Sequence, residues 1–547
     1  MKRTWWKEAI VYQVYWRSFY DTNGDGYGDL KGVIEKLDYI KELGVDIIWL
    51  NPFYESPDKD NGYDISNYEA IMEKAGTMAD FEELLTEVHK RDMKVMMDLV
   101  VNHTSDQHPW FIESRSSKDN AKRDWYIWKD PKNGKEPNNW RSYFTPSVWE
   151  YDEKTDQYYM HSFAVEQPDL NWKNKEVREA IYKMMRFWLD KGINGFRMDV
   201  INLLAKLEGF PDAENPLNIS YLGNNPGIHE YLQEMHEEVL KHYDVLTVGE
   251  IPFVTPEDGL KYAGEDRNEL NTLFHFEIAD DMPTWDMLGY KEIQERWHKA
   301  FYGKGWNSQF LNNHDHTRQV TRYGNDNEYR IESAKLLGTM IHTLPGMPYV
   351  FQGEEIGMTG VRFHSIEDYN DIAMKNKYKE EVEKGRDPEE VFESLLLLSR
   401  DNSRTPIQWN SSKNAGFTEG TPWININPNY KEINVEEALH NPNSVYYYYK
   451  KLIALRKENP VMVYGDYEDY SADDDHLYVY VRTLDHVRWL VILNHSDHNT
   501  PFKLPAVFND KEKRLVLSNY NDVKEEDSLI ETTLGPHEAR IYEFIKR

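Results

Sequence analysis

The feature of this sequence that most constrains its fold is a repeated alternation of short apolar segments with segments of helical periodicity. Alternating strands and helices predict a parallel sheet, because each helix carries the chain back to the same end of the sheet. Eight such units predict that the sheet closes into a (β/α)8 barrel. Seven of the eight predicted strands are Ala9–Tyr15, Val45–Leu50, Lys94–Val101, Val245–Glu250, Leu270–Glu277, Ser308–Asp315 and Met347–Glu354. The other, fourth in chain order, is a short strand in the stretch 195–202 that carries both Arg197 and Asp199.

Two regions depart from this alternation and predict further domains. Residues 104–170 are polar, rich in Trp and Tyr, and without a strong period, which is typical of a functional insertion. From residue 470 the pattern changes to alternating antiparallel strands, as in HLYVYVR at 476–482. We therefore predict an α/β protein with a barrel at residues 1–103 and 171–469. A small domain at 104–170 follows strand 3, and a C-terminal antiparallel β-sandwich occupies 470–547. Residues 359–430 are expected to be a long irregular excursion from the barrel.

Composition excludes several classes of function. The formal net charge of −31 disfavours nucleic acid and anionic membranes as partners. The chain has no cysteine, so disulfides, thiolate metal sites and cysteine nucleophiles are excluded. The first eight residues lack the apolar core of a signal peptide, and no run of 18 apolar residues occurs. We expect a cytoplasmic protein that is a monomer or a weak homo-oligomer, with no organic cofactor.

Charged residues gather at the predicted ends of the barrel strands, where the catalytic groups of such barrels lie. Arg197 and Asp199 are two residues apart on one strand and therefore share a face. One such pair can be purely structural, but other strands end in acids and histidines, namely His103, Glu250, His314 and Asp315. Two carboxylates that flank a bond are the minimum for glycoside hydrolysis. The strand ends lack the paired histidines of a catalytic zinc site.

A glycine-rich acidic loop follows the first strand. The loop reads DTNGDGYGD, with oxygen-bearing side chains at Asp21, Asn23, Asp25 and Asp29. This spacing suits a hard cation such as calcium. It is not an EF-hand loop, because the twelfth position is Gly32 in place of a bidentate Glu. A polar turn without metal is the alternative.

Five segments together resemble the signatures of glycoside hydrolase family 13, the α-amylase family. They are DLVVNH at 98–103, QPDLN at 167–171, GFRMDVIN at 195–202, GE at 249–250 and NNHD at 312–315. The resemblance covers essentially the whole chain and is strongest to the oligo-1,6-glucosidase and α-glucosidase branch. It implies the same barrel, insertion and C-terminal sandwich.

The resemblance also implies roles for individual residues. Asp199 resembles the nucleophile, Glu250 the general acid/base, and Asp315 the third carboxylate that stabilises the transition state. Two carboxyls acting in this way with retention should lie about 5–5.5 Å apart. The remaining residues expected to contact an oligosaccharide are Asp60, Tyr63, Asp98, His103, Phe163, Gln167, Arg197, Val200, His314, Arg318 and Arg400. Among them, Arg197 is expected to keep Asp199 ionised, and Tyr63 to stack under the glucose.

Two further expectations come from the resemblance. Asp60 and Arg400 resemble the pair that closes the pocket behind one glucose, which permits only exo cleavage. The loop at 21–29 resembles the calcium site of this branch, which implies a structural calcium ion bound by Asp21, Asn23, Asp25, Tyr27 and Asp29.

Linkage preference is read from residues near the second sugar. Val200 follows the predicted nucleophile, and valine there usually accompanies α-1,6 preference in this branch. The chain departs from the branch at two places. It reads His316-Thr317-Arg318 where Gln-Pro-Arg is more common, and Phe-Ala-Val-Glu at residues 163–166 where two lysines are common. The sequence thus predicts an exo-acting α-glucosidase with isomaltose-type substrates. Alternatives are an α-1,4-glucosidase with transglucosylation, a sucrose isomerase, an enzyme of starch polymers, and a catalytically inactive interaction subunit.

Overall fold

The computed structural model describes residues 3–509 and 512–545. The predicted ranges of the first and last domains also include residues 1–2, 510–511 and 546–547, which lie outside the described residues. Eight parallel strands form the central sheet, as predicted. They are β1 (Val11–Val14), β2 (Ile47–Leu50), β3 (Lys94–Leu99), β4 (Gly195–Met198), β5 (Leu246–Glu250), β6 (Thr272–Phe274), β7 (Ser308–Gln309) and β8 (Met347–Phe351).

The sheet is closed into a barrel. Its strand order is β6-β5-β4-β3-β2-β1-β8-β7. The first strand, β1, therefore pairs with both β2 and β8. A parallel bridge between Leu273 on β6 and Asn307, the residue before β7, joins the two ends. All eight strands therefore point their carboxyl ends at one rim.

Helices pack around the barrel. The helix that precedes β4, Lys175–Lys191, begins at the Asn174 cap and ends at Gly192, which adopts φ 106°. Only glycine reaches this conformation without strain, so the helix stops at Gly192, three residues before β4 begins. No helix in the described residues is long and apolar enough to cross a membrane. The other long helices are Met78–Lys90, Ile228–Glu238, Met287–Phe301, Arg330–Thr343 and Val445–Glu458. Residues 30–43 form two short helices, Leu30–Glu35 and Leu37–Leu43.

The insertion after β3 forms a small domain above the rim. It holds a helix, Pro109–Ser116, and a three-stranded antiparallel sheet of Trp128–Lys129, Trp149–Asp152 and Gln157–Met160. The domain is tied back to the barrel where it ends, because His103 and Asp169 form an antiparallel bridge. This bridge brings the segment at 163–169 over the strand ends.

The excursion at 359–430 is not wholly irregular. It contains two helices, Ile372–Glu383 and Pro388–Leu395, which pack against each other as a hairpin. Asp371 and Asp387 cap their N-termini. The first helix has weak apolar periodicity and only Met374 buried, and the second spans eight residues, so periodicity did not reveal them.

The C-terminal region is a two-layered β domain. A five-stranded sheet is formed by β9 (Asp466–Asp469), β10 (Leu477–Leu484), β11 (Val487–Asn494), β12 (Glu512–Ser518) and β13 (Ala539–Ile545). A two-stranded sheet, Thr500–Lys503 with Glu531–Leu534, covers it, and an apolar core that includes Leu490, Phe502 and Leu534 lies between them. This is the predicted sandwich, although its first strand precedes residue 470.

Candidate active site

One guanidinium holds three carboxylates at the rim. Arg197 on β4 places Nη1 2.6 Å from an oxygen of Asp98 and 2.6 Å from an oxygen of Asp199. Its Nη2 lies 2.7 Å from Glu250 at the end of β5. Because β3, β4 and β5 are adjacent strands, their registers bring these acids to one point. The predicted nucleophile and acid/base are therefore neighbours across a single arginine.

The charge balance of this cluster differs from the simple expectation that Arg197 keeps Asp199 ionised. Burial, and then the neighbouring Glu250, raise the pKa of Asp199 well above its usual value, although Arg197 opposes both effects. Burial likewise raises the pKa of Asp98, against Arg197 and His314. One cation faces three carboxyls at this point, so burial and the neighbouring acid outweigh Arg197 in setting the direction of the Asp199 shift.

A second network fixes the groups expected to hold a glucose. The side-chain amide nitrogen of Gln13 lies 2.9 Å from Nδ1 of His314, which leaves Nε2 of the imidazole to contact the cavity residues. That nitrogen faces the Tyr63 hydroxyl at 2.6 Å and Asp315 at 2.9 Å. The rings of Tyr63 and His314 are stacked, with centroids 5.4 Å apart. Trp49 donates to Asp98, which completes the buried layer under the cavity.

Asp315 remains ionised because cations surround it. Burial alone would raise its pKa, but His314, Arg404 and Arg400 together hold the pKa well below its usual value. Arg404 donates to Asp315 Oδ1 at 2.7 Å, and Arg400 Nη1 lies 3.6 Å from the same oxygen. A permanently charged carboxylate at this position can stabilise positive charge that develops on a sugar ring.

Arg400 and Asp60 close one end of the cavity. Arg400 Nη1 lies 3.3 Å from Asp60 Oδ1, as predicted for the pair. Gln167 donates to Asp60 at 3.2 Å and lies 3.3 Å from Nε2 of His103. His103 also contacts the Tyr63 carbonyl through Nε2. Gln167 of the QPDLN segment therefore holds Asp60 and His103, two residues predicted to bind the sugar, in position.

These groups surround a cavity of about 210 Å³. Nine predicted site residues line it, namely Asp60, Tyr63, His103, Phe163, Asp199, Val200, Glu250, Asp315 and Arg400. Four more lie buried behind the wall and hold the lining residues, namely Asp98, Gln167, Arg197 and His314.

Arg318 does not reach the cavity, and its predicted substrate contact is corrected. Its guanidinium donates to the carbonyls of Gln352 and Ser403, and the side chain is buried. Because the chain turns at Asn313–His316, residues 315 and 316 face the cavity and Arg318 faces the barrel wall. Arg318 therefore ties the segment after β8 to the helix that follows Arg400.

Several site residues were not found from the sequence. The cavity is also lined by Tyr143, Phe144, Pro252, Phe276, Asp280 and His316, and Arg404 and Asp371 hold the charged groups. Arg404 stands four residues after Arg400, and Asp371 precedes a helix, but neither signal assigns a site. His316 was noted only as a departure from the branch. It lies 3.3 Å from Asp280 and stacks on Phe276.

Val200 adopts a conformation that is rare for a β-branched residue, with φ 35° and ψ 44°. The backbone N–H of Val200 donates to Glu250 at 3.0 Å. This bond ties the residue after the predicted nucleophile to the predicted acid/base. Such strain is found mostly where a site depends on it.

The acidic loop at 21–29 is held by hydrogen bonds within the chain. Asp21 accepts from the backbone of Asn23, Gly24 and Gly26, and Asp29 accepts from Thr22 and Gly32. Among the residues that the structure describes, no group of three His, Asp or Glu side chains is arranged as a metal site. The predicted calcium ion therefore stays a prediction.

Comparison with known proteins identifies the class that this fold and site define. Residues 13–465 match the family described as Alpha amylase, catalytic domain, and 467–541 match Maltogenic Amylase, C-terminal domain. The chain belongs to the α-amylase family, glycoside hydrolase family 13, and is a glycoside hydrolase.

Relatives of known name cover the full length of the chain. It is 56% identical to an oligo-1,6-glucosidase of Parageobacillus thermoglucosidasius, with 99% of each chain covered. It is 54% identical to an oligo-1,6-glucosidase of Bacillus cereus, over 99% of this chain and 100% of the relative. Among solved structures, trehalose-6-phosphate hydrolase of Bacillus licheniformis matches with a TM-score of 0.94 at 48% identity. Both chains are covered completely. Isomaltulose synthase of Klebsiella sp. LX3 matches with a TM-score of 0.97 at 44% identity, again with complete coverage.

Proposed function

We propose that this enzyme is a retaining, exo-acting α-glucosidase that hydrolyses short α-gluco-oligosaccharides with a preference for α-1,6 linkages. The observation that carries the proposal is the single cavity in which Arg197 joins Asp199 to Glu250 and Arg400 with Asp60 closes one end. A closed end admits one terminal glucose and places the next linkage beside the two carboxylates. Two relatives, at 56% and 54% identity, are named oligo-1,6-glucosidase.

The residues supply the steps of a double displacement. Asp199 attacks the anomeric carbon while Glu250 gives its proton to the glycosidic oxygen, so the aglycone leaves and a glucosyl ester forms. Glu250, now a carboxylate, then takes a proton from water as the water attacks the anomeric carbon, and the bond from that carbon to the Asp199 oxygen breaks, which frees glucose and Asp199. Asp315 stabilises the oxocarbenium-like charge.

The charge of the cavity lining favours a neutral leaving group. The lining is aromatic at Tyr143, Phe163 and Phe276, with Asp280 beside His316. Arg400 is the only Lys or Arg among the described lining residues, and Asp60 and Asp371 engage it. A phosphorylated aglycone would lack a permanent cation partner there. This charge distribution favours an oligo-1,6-glucosidase over a trehalose-6-phosphate hydrolase.

The test is a product assay on isomaltose, maltose, sucrose and trehalose 6-phosphate with purified protein. We expect glucose release to be fastest from isomaltose, with the α-anomer formed first. Asp199→Asn should reduce kcat by at least about 10⁴-fold, because the covalent step is lost. Predominant turnover of trehalose 6-phosphate, formation of isomaltulose from sucrose, or full activity of the Asn variant would contradict the proposal.

We also propose that the loop at 21–29 binds a structural calcium ion. Asp21 and Asp29 are buried, and no ion pair within 4.0 Å joins Asp21, Asp25 or Asp29 to a basic side chain in the described residues. Burial raises the pKa of Asp29 in the absence of a cation. Oδ1 of Asp29 accepts one N–H, from Gly32, and keeps a second lone pair for a cation. Each oxygen of Asp21 accepts two hydrogen bonds, so calcium would replace some of these bonds. Asn23 and the Tyr27 carbonyl would complete an oxygen ligand set.

The calcium proposal is tested by thermal unfolding with excess EDTA and with excess Ca²⁺. We expect Tm to be several degrees higher with calcium, and Asp21→Asn to remove most of that difference. An equal Tm in both conditions would overturn it. The cytoplasmic location and the monomeric or weakly associated state stay predictions, which cell fractionation and analytical ultracentrifugation would test.

A further inference from the structure

We infer that Asp371 is a positioning residue that aims Arg400 into the substrate cavity and thereby enforces exo cleavage. This inference rests on the proposed glucosidase function. Asp371 does not line the cavity, and no sequence motif singled it out. Its role is inferred from its contacts with Arg400. Asp371 binds the backbone N–H and Nε of Arg400, while Nη1 faces the cavity.

Asp371 occupies one side of the Arg400 guanidinium. Arg400 Nε donates to Asp371 Oδ1 at 2.8 Å, and Nη2 lies 2.8 Å from the same oxygen. The Arg400 backbone N–H donates to Asp371 Oδ2 at 2.9 Å. The Asp371 carboxylate, in a residue only 1% exposed, therefore binds both the backbone and the side chain of Arg400.

Only Nη1 of Arg400 remains directed at the cavity. It lies 3.3 Å from Asp60 and 3.6 Å from Asp315, which are both cavity-lining acids. The guanidinium also lies over the Phe144 ring, with the carbon 4.9 Å from the ring centroid. Ordering an arginine side chain costs rotamer entropy. A carboxylate that hydrogen-bonds Nε and lies within ion-pair distance of Nη2 restricts this freedom before substrate arrives.

The same carboxylate connects the cavity to the helical hairpin. Asp371 caps the helix Ile372–Glu383 by accepting from the Ala373 backbone. Further along this helix, Asn376 donates to the Phe144 carbonyl and Glu380 pairs with Arg141 of the inserted domain. The helix thus spans from the closed end of the cavity to the domain that covers it.

The alternative is that Asp371 acts only as a helix cap. Asp371→Asn separates the two roles, because asparagine caps a helix as well as aspartate but lacks the charge that grips Arg400. Asp387→Asn is the matched control, since Asp387 caps the second hairpin helix, is exposed, and makes no contact with Arg400.

The experiment first measures the wild-type protein on isomaltose, because inactivity there would refute the proposed function and not this inference. For Asp371→Asn we expect KM to rise roughly tenfold with a smaller change in kcat, since Arg400 binds a part of the sugar that does not react. We also expect Asp371→Asn to cleave an oligosaccharide that is blocked at its non-reducing end. The rate of this cleavage, divided by the rate for the unblocked oligosaccharide, should be higher than in the wild type. Asp387→Asn should match the wild type in both readouts.

A double-mutant cycle with Arg400→Ala excludes a general structural effect. If Asp371 acts through Arg400, Asp371→Asn should have little further effect on KM in the Arg400→Ala background. Asp371→Glu, which keeps the charge, should recover part of the loss. An unchanged KM and cleavage ratio in Asp371→Asn, or an equal effect of this change with and without Arg400, would overturn the inference.

Discussion

At the residue scale, the site is controlled by single side chains that serve several partners. Arg197 contacts three acids, so the protonation of each depends on the other two. Val200 combines a strained backbone with a β-branched side chain that lines the cavity next to the nucleophile. Its N–H holds Glu250, and its methyl groups bound the space for the leaving sugar.

Val200→Thr tests the contribution of this side chain to linkage preference. Threonine is also β-branched, so the backbone strain is the same, while one methyl becomes a hydroxyl. We expect the ratio of kcat/KM for isomaltose to that for maltose to fall roughly ten- to a hundredfold, equivalent to about 1–3 kcal/mol. Hydrolysis of an aryl α-glucoside, which lacks a second sugar, is the control and should change little. An unaltered ratio would assign linkage choice to other lining residues.

At the element scale, the short 3-10 helix after β8, Glu354–Ile356, carries two buried acids under the site. Glu354 accepts from the Tyr449 hydroxyl and the Phe351 backbone, and Glu355 accepts from Tyr12 and Tyr39. Burial raises the pKa of Glu354 to about 8. In the folded protein this carboxyl is therefore largely neutral at pH 7.

The raised pKa predicts a pH dependence of stability. Between the unfolded value, about 4.5, and about 8, the folded state binds more protons, so the free energy of unfolding falls as pH rises. The loss is up to about 1.4 kcal/mol per pKa unit. Glu354→Gln stays neutral at every pH and should flatten Tm between pH 5 and 8. Glu436→Gln, an exposed control, should keep the wild-type slope, and equal slopes in both variants would refute the prediction.

At the scale of the whole molecule, the barrel and the C-terminal sandwich are joined by a buried lysine. Lys291 on the helix Met287–Phe301 is 2% exposed. Its Nζ donates to the carbonyls of Ser471, Asp474 and Leu477, at 2.5, 2.6 and 2.6 Å. Ser471 and Asp474 lie in the loop between β9 and β10, and Leu477 is the first residue of β10. One cation therefore connects the barrel helix to the C-terminal domain.

Lys291→Met should remove this connection without touching the active site. Three carbonyls lose their donor, and each unsatisfied buried group costs roughly 1–3 kcal/mol. We expect Tm, measured at a fixed scan rate, to fall by several degrees while kcat at 25 °C is unchanged. Lys299→Met removes an exposed lysine from the same helix and should leave Tm within about one degree. Equal Tm values for the two variants would show that Lys291 does not hold the junction.

The sequence by itself determined the barrel, because strand and helix periodicities are local properties. It also located the rim residues, since parallel strands end at one rim and the acids and histidines follow those ends. Signature segments assigned Asp199, Glu250 and Asp315, and the structure brings Asp199 and Glu250 together on Arg197 and places Asp315 in the same cavity.

Only the tertiary structure decided which distant side chains complete the site. Arg404 reaches Asp315 across 89 residues of sequence, and Asp371 reaches Arg400 across 29. Arg318 stands three residues from Asp315 and yet faces the barrel wall. Such contacts depend on how loops from separate strands pack, and no local pattern encodes that packing. The same holds for charge, because the protonation of Asp199 depends on burial and on acids from two neighbouring strands.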